Sequence, residues 1–134
     1  MQLSGSNPAA STKRSILLVD DDEPMRLAMC AVLSPRYRVT LAVDGLDGLD
    51  KASANPRPDL IVADIIMPRL DGISMVRRIR ERDAMRRVPV IFLSGQMSVG
   101  HILAGLSVVP FGYLSKPIDP EALVRKVKSA FGDR

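Results

Sequence analysis

Four polar clusters follow four apolar runs in this chain of 134 residues. Asp20, Asp21 and Asp22 follow Ile16-Leu17-Leu18-Val19, and Asp64 follows Leu60-Ile61-Val62-Ala63. Ser94 follows Val90-Ile91-Phe92-Leu93, and Ser115 and Lys116 follow the run that ends at Leu114. A single polar residue where a strand meets a loop is ordinarily a turn residue or a helix cap. The set is more informative than its members. Asp20, Asp21 and Asp64 would repel one another unless a divalent cation sat among them or one carboxyl held a proton. Mg2+ suits such a place, because it takes oxygen ligands and keeps positions open for phosphate oxygens. A carboxylate beside it can act as a nucleophile and form an acyl phosphate. Lys116 supplies a point charge opposite the metal, and Ser94 a hydrogen bond to a phosphoryl oxygen. Phosphoryl transfer thus accounts for all five positions. A serine hydrolase does not, because His101 falls on a predicted helix away from Ser94.

The elements that must bring these residues together are legible as alternating strands and helices. Strands are expected at 16–19, 38–42, 60–63, 90–93 and 111–114, where apolar runs are short and nearly continuous. Helices are expected at 24–33, 45–54, 73–82 and 98–106, the last of these weakened by Gly100 and Gly105. A final helix starts at Asp119-Pro120, with Asp119 as cap and Pro120 in the first turn. Met25, Ala28, Met29, Val32 and Leu33 read as the inner side of the first helix, and Leu46, Leu49 and Ala52 as that of the second. Asp22 reads as the cap of the first helix, and Asp71 before Gly72 as a turn and helix start. Continuous apolar strands separated by helices imply a parallel sheet covered on both faces, with ligands at the carboxyl ends of its strands.

Composition excludes other classes. Hydrophobic residues are 46% of the chain and charged residues 25%, a globular balance. One cysteine, Cys30, rules out an internal disulfide and fits a reducing compartment, so the expected location is cytoplasmic. Cys30 and His101 alone cannot build a structural zinc site. No apolar run approaches the ~18 residues of a membrane span, and no signal peptide is expected. The net charge of +4 is matched by residues 76–88, which hold six arginines against Glu81 and Asp83. These arginines read as a solvated helix face. Nucleic-acid binding would also call for stacking aromatics, and none of the five Phe and Tyr residues lies there. Residues 1–14, rich in Ser, Asn, Pro and Ala, read as a flexible leader or linker before one domain at 15–134.

The motifs Ile16-Leu17-Leu18-Val19-Asp20-Asp21, Asp64-Ile65-Ile66-Met67-Pro68-Arg69-Leu70-Asp71-Gly72, Phe92-Leu93-Ser94-Gly95 and Tyr113-Leu114-Ser115-Lys116-Pro117 resemble those of receiver domains of two-component response regulators. Their spacings agree, 30 residues from Asp64 to Ser94 and 22 from Ser94 to Lys116. The resemblance implies a three-layer α/β/α sandwich, flavodoxin-like and doubly wound, with five parallel strands in the order 2-1-3-4-5. It makes Asp64 the phosphoacceptor, fed by a histidine kinase or histidine phosphotransfer protein. Asp20, Asp21, Asp64 and the Ile66 backbone carbonyl become the Mg2+ ligands. Ser94 and Tyr113 become the switch, Lys116 the partner of the phosphoryl group, and Lys116-Pro117 a cis bond. An output partner is expected on the face of the helix at 98–106, the fifth strand and the last helix, with a homodimer as an alternative. The chain would be regulatory rather than an enzyme, assisting only its own Mg2+-dependent phosphorylation and dephosphorylation. Two other readings stand beside it. One is an unphosphorylated pseudo-receiver that acts as an interaction module, against which the complete acidic set argues. The other is a D-x-D phosphatase built on Asp20 and Asp22, against which Pro24 argues. Val109-Pro110 stands where the family usually carries Gly-Ala, so the helix at 98–106 is expected to be short and loosely held.

Overall fold

The computed structural model describes residues 13–54, 56–95 and 108–133. The expected helix at 98–106, His101 and most of the leader lie outside the described residues. The chain runs β1 (Ser15–Val19), α1 (Glu23–Leu33), β2 (Arg38–Ala42), α2 (Gly45–Lys51), β3 (Leu60–Asp64), α3 (Gly72–Arg80), a 3₁₀ turn (Asp83–Met85), β4 (Val90–Ser94), β5 (Gly112–Ser115) and α4 (Pro120–Ala130). The five strands form one parallel sheet in the order β2-β1-β3-β4-β5.

Alternation along the three central strands divides the core into two layers, because successive side chains point to opposite faces. Leu17, Val19, Ile61, Ala63, Val90 and Phe92 face α3, where Ile73, Met75, Val76 and Ile79 are buried. Ile16, Leu18, Leu60, Val62, Ile91 and Leu93 face Met29 and Leu33 of α1 and Leu123 and Val127 of α4. With both faces covered, β1, β3 and β4 are buried at every position, and apart from Ser15, Asp64 and Ser94 at their ends they are apolar, so they read as unbroken runs.

Some expectations need correction. In α2 the inner face is built from Gly45 and Gly48 rather than from Leu46, which is exposed. A β-carbon at Gly48 would stand 2.5 Å from the Met75 sulfur, so the close contact of α2 with α3 leaves no room for a side chain there. That helix also ends at Lys51, short of residue 54. In α1, Ala28 is exposed. Asp22 and Asp119 do stand at the N-cap positions of α1 and α4, but neither side chain makes a capping hydrogen bond. Asp71 does cap α3, accepting from Ser74 N at 2.8 Å. Among the described residues, no helix is long and apolar enough to cross a membrane.

Candidate functional site

The carboxyl ends of β1, β3 and β4 converge because the three strands pair in register: Val19 lies opposite Ala63, and Asp64 opposite Leu93. Asp20 leaves the end of β1, Asp64 is the last residue of β3 and Ser94 the last of β4. One carboxylate oxygen from each of Asp20, Asp21 and Asp64 lies within 4.8 Å of the others. Asp20 is fully buried and Asp64 nearly so, whereas Asp21 is exposed at the mouth.

Lys116 closes the pocket from the β5 side. Its backbone N–H donates to the Ser94 carbonyl at 2.6 Å, which fixes the chain just past β5. Its ammonium then lies 2.9 Å from Asp64 Oδ2 and 3.4 Å from Asp20 Oδ2. The Lys116-Pro117 bond is cis, as expected. Burial alone would lower the lysine's pKa, but the hydrogen bond to Asp64 and the charges of Asp20 and Asp64 outweigh it and hold it above the usual lysine value.

Asp20 shows the opposite balance. Burial pushes its carboxyl above the ordinary 3.8, against the lowering effects of the Asp22 amide and Lys116, and the Asp64 charge adds to the rise. Asp20 Oδ1 accepts from Asp22 N at 3.0 Å, so the turn after β1 folds around this carboxyl. The Arg26 guanidinium donates to the Asp20 carbonyl at 2.8 Å and ties α1 to the same turn. Asp20 Oδ2 is buried and accepts no hydrogen bond. A buried orphan carboxylate oxygen facing two further carboxylates fits a hard divalent cation. The donor set, all oxygen and none of it nitrogen or sulfur, fits Mg2+ rather than zinc.

Ser94 is buried beside Asp64 at the end of the neighbouring strand. Tyr113 lies in β5 opposite Phe92 and is about half exposed, at 49%. Ile66 is exposed at 59%, two residues past Asp64 at the rim of the pocket. The structure therefore gathers Asp20, Asp21, Asp64, Lys116 and Ser94 at one end of the sheet, with Ile66 at its rim. Tyr113 stands apart on the edge strand. Of the expected output face, β5 and α4 are described and residues 98–106 are not.

Three features of this end were not expected from sequence. Gly72 is obligatory, because a β-carbon there would meet the Asp64 carbonyl oxygen at 2.0 Å. At Gly45 an added β-carbon would likewise stand 2.0 Å from the Leu70 carbonyl oxygen. Arg69 adopts φ +71° and pairs with Asp44 across the loop.

The family profile described as the response regulator receiver domain matches residues 16–128. Response regulator MprA of a Mycobacterium species is 39% identical over 115 residues, covering 85% of this chain and 49% of the relative. The probable transcriptional regulator ycf29 of Porphyra purpurea is 34% identical over 116 residues, covering 86% and 55%. The chain spans about half the length of these curated relatives. Among solved structures, chemotaxis protein CheY4 of Vibrio cholerae superposes with a TM-score of 0.81 at 29% identity, covering 89% of this chain and 99% of the other. The receiver domain of a Pseudomonas aeruginosa sensor histidine kinase, solved with a magnesium ion coordinated in its active site cleft, gives 0.77 at 34% identity, covering 91% and 100%.

Proposed function

The chain belongs to the response regulator receiver domain family, whose members interact with histidine kinases and output domains, and on that premise we propose that Asp64 is the acceptor of a phosphoryl group from a phosphohistidine. The observation that carries this reading is the Lys116 ammonium seated between Asp64 and Asp20. A lysine there pairs with the carboxylate that would act as the nucleophile and supplies a positive charge beside the incoming group. Asp20, Asp21, Asp64 and the Ile66 carbonyl would hold Mg2+, which when bound neutralises the carboxylates and withdraws charge from the phosphoryl oxygens.

In the transfer, an oxygen of Asp64 forms the new bond to phosphorus as the bond from phosphorus to the donor imidazole nitrogen breaks. The imidazole keeps the electron pair and takes up a proton. Lys116 then pairs with a phosphoryl oxygen, and the Ser94 hydroxyl turns to donate to another. The space Ser94 leaves is taken by Tyr113, and the equilibrium between two pre-existing conformations shifts toward the one an output partner binds. That partner uses the face of residues 98–106, β5 and α4, and a homodimer is a further arrangement open to the chain. In this reading residues 15–134 are the receiver, residues 1–14 a leader or linker, and the setting the cytoplasm.

Incubation with acetyl phosphate and Mg2+ tests the proposal. A mass gain of one phosphoryl group is expected, lost in Asp64→Asn and in EDTA. No gain in the unaltered chain, or a gain that survives Asp64→Asn, refutes it.

A further inference from the structure

The loop of residues 65–71 carries Ile66 and is held from two sides. At its base, Ile65 N donates to the Leu93 carbonyl at 3.1 Å and Gly72 N to the Ile65 carbonyl at 2.8 Å. At its outer turn Arg69 adopts φ +71°, the left-handed region that a β-carbon disfavours. Arg69 Nε donates to Asp44 Oδ2 at 2.8 Å, and Nη2 lies 2.6 Å from the same oxygen. The Asp44 carboxylate is only 6% exposed. Its other oxygen accepts from Asp47 N at 2.8 Å and caps α2. The Asp47 amide first, and then Arg69, hold the Asp44 carboxyl below the usual carboxylate range. A single buried carboxylate thus joins the start of α2 to the turn of the metal loop, and Gly45 lets the Leu70 carbonyl press against it.

We propose that Asp44 and Arg69 are a positioning pair for the acid pocket, fixing the backbone from Ile66 to Leu70 and so setting the affinity for Mg2+ and the rate of phosphoryl uptake. The inference rests on the reading of the pocket given above. The Arg69 side chain is 62% exposed, so it adds little to the core. What it contributes is a fixed conformation in the segment that follows Ile66. Groups that orient a metal's ligands commonly set its affinity without touching it.

The test uses the full chain, with Mg2+ titrated against 1H–15N shifts, urea unfolding in EDTA, and phosphorylation by acetyl phosphate. Arg69→Gly removes the pair while easing φ +71°, so the relief offsets the lost pairing and unfolding in EDTA should change by less than the loss in Mg2+ binding. Asp44→Asn keeps an acceptor for Asp47 N and removes the charge. Both variants should weaken Mg2+ binding by about tenfold and slow phosphorylation in step. The double variant should be no worse than either single one, and Arg69→Lys should fall between. A purely electrostatic role would instead move the two variants in opposite directions, because one removes a positive and the other a negative charge. Tighter binding in Arg69→Gly, unchanged binding in both variants, or additive losses in the double variant would overturn the inference. An unaltered chain that binds no Mg2+ and takes up no phosphoryl group would overturn the functional reading itself, and this inference with it.

Discussion

Replacing Lys116 by methionine keeps most of the side-chain volume and removes the charge between Asp64 and Asp20. With the ammonium at 2.9 Å and 3.4 Å from the two carboxylates, each attraction is about 5 kcal/mol gross at an effective dielectric constant of about 20. Burying the ammonium returns part of that. The net loss also has a ceiling. A carboxyl with the ordinary value of 3.8 can be neutralised at pH 7 for about 4 kcal/mol, and once neutral it no longer needs the lysine. Asp20 already lies above that value, chiefly through burial, so the ceiling is lower still. The expected loss is therefore about 2–4 kcal/mol at pH 7 without metal. Its pH dependence is the sharper consequence. An acid whose folded-state pKa is raised contributes its full stability below the unfolded value and loses it as pH rises through the folded value. Removing Lys116 takes away a charge that lowers Asp20 and so raises that carboxyl further, and the gap between wild type and variant must widen with pH above about 4. The lysine's own raised pKa contributes stability that is lost only in the alkaline range, outside this window. Urea unfolding followed by far-UV circular dichroism in EDTA at pH 5, 6 and 7 measures the gap, which should shrink by about 2 kcal/mol from pH 7 to pH 5. Mg2+ should close part of it by supplying the missing positive charge. A gap independent of pH, or one that widens toward pH 5, refutes the reasoning.

Asp64→Asn removes one of three crowded carboxylates while keeping an acceptor for Lys116, and should stabilise the metal-free fold by about 1 kcal/mol in a thermal melt in EDTA; a clearly less stable variant contradicts it. Gly72→Ala drives a β-carbon into the Asp64 carbonyl, so it should cost about 1–3 kcal/mol in urea unfolding and slow phosphoryl uptake beyond what that loss of folded protein explains. The exposed Ile66 side chain at the pocket rim cannot orient a water for attack on phosphorus, so Ile66→Asn should shorten the acyl-phosphate lifetime, read as the decay of the phosphorylated mass; unchanged or slower decay counts against it.

The strand ends could be read in the sequence because each is a change of polarity at a definite place, and a parallel sheet puts all such places on one edge. The same logic fails where the informative residue carries no polarity signal. Gly48 gives no periodicity, so Leu46 looked like the inner face of α2, although only a glycine fits under Met75. Arg69 has no local mark of a left-handed conformation, which in most chains would be signalled by glycine or asparagine. Its partner Asp44 looks like any residue before a glycine. The six arginines of residues 76–88 read as one solvated face, yet Arg80 is half-buried and donates to the Val88 carbonyl at 2.9 Å and the Val109 carbonyl at 3.1 Å. Arg82 donates to Ser53 Oγ and the Leu49 carbonyl. Arg77, Arg78, Arg86 and Arg87 do remain exposed. Charge composition reports how many cations a segment holds, and only tertiary neighbours decide which of them are anchored. Asp22 is a related case. Its position at the start of α1 is as expected, but its backbone N–H is used to satisfy Asp20 Oδ1 and its side chain caps nothing.

Asp20 makes the strongest physical case that this end of the sheet was built for something other than folding. Among the described residues, its Oδ2 is the buried side-chain oxygen without a hydrogen bond, and such an orphan costs about 1–3 kcal/mol, more when charged. It stands directly after Leu18 and Val19 on a central strand, where an apolar residue would continue the core without that penalty. The surrounding chain spends hydrogen bonds holding this carboxyl in place: Asp22 N on its other oxygen and Arg26 on its carbonyl. Lys116 approaches this oxygen at 3.4 Å as an ion-pair partner, but the hydrogen bond its ammonium makes goes to Asp64 at 2.9 Å. A position whose local choice opposes stability, held rigid by its neighbours and pointed at two more carboxylates, fits a ligand that adds positive charge to that of Lys116.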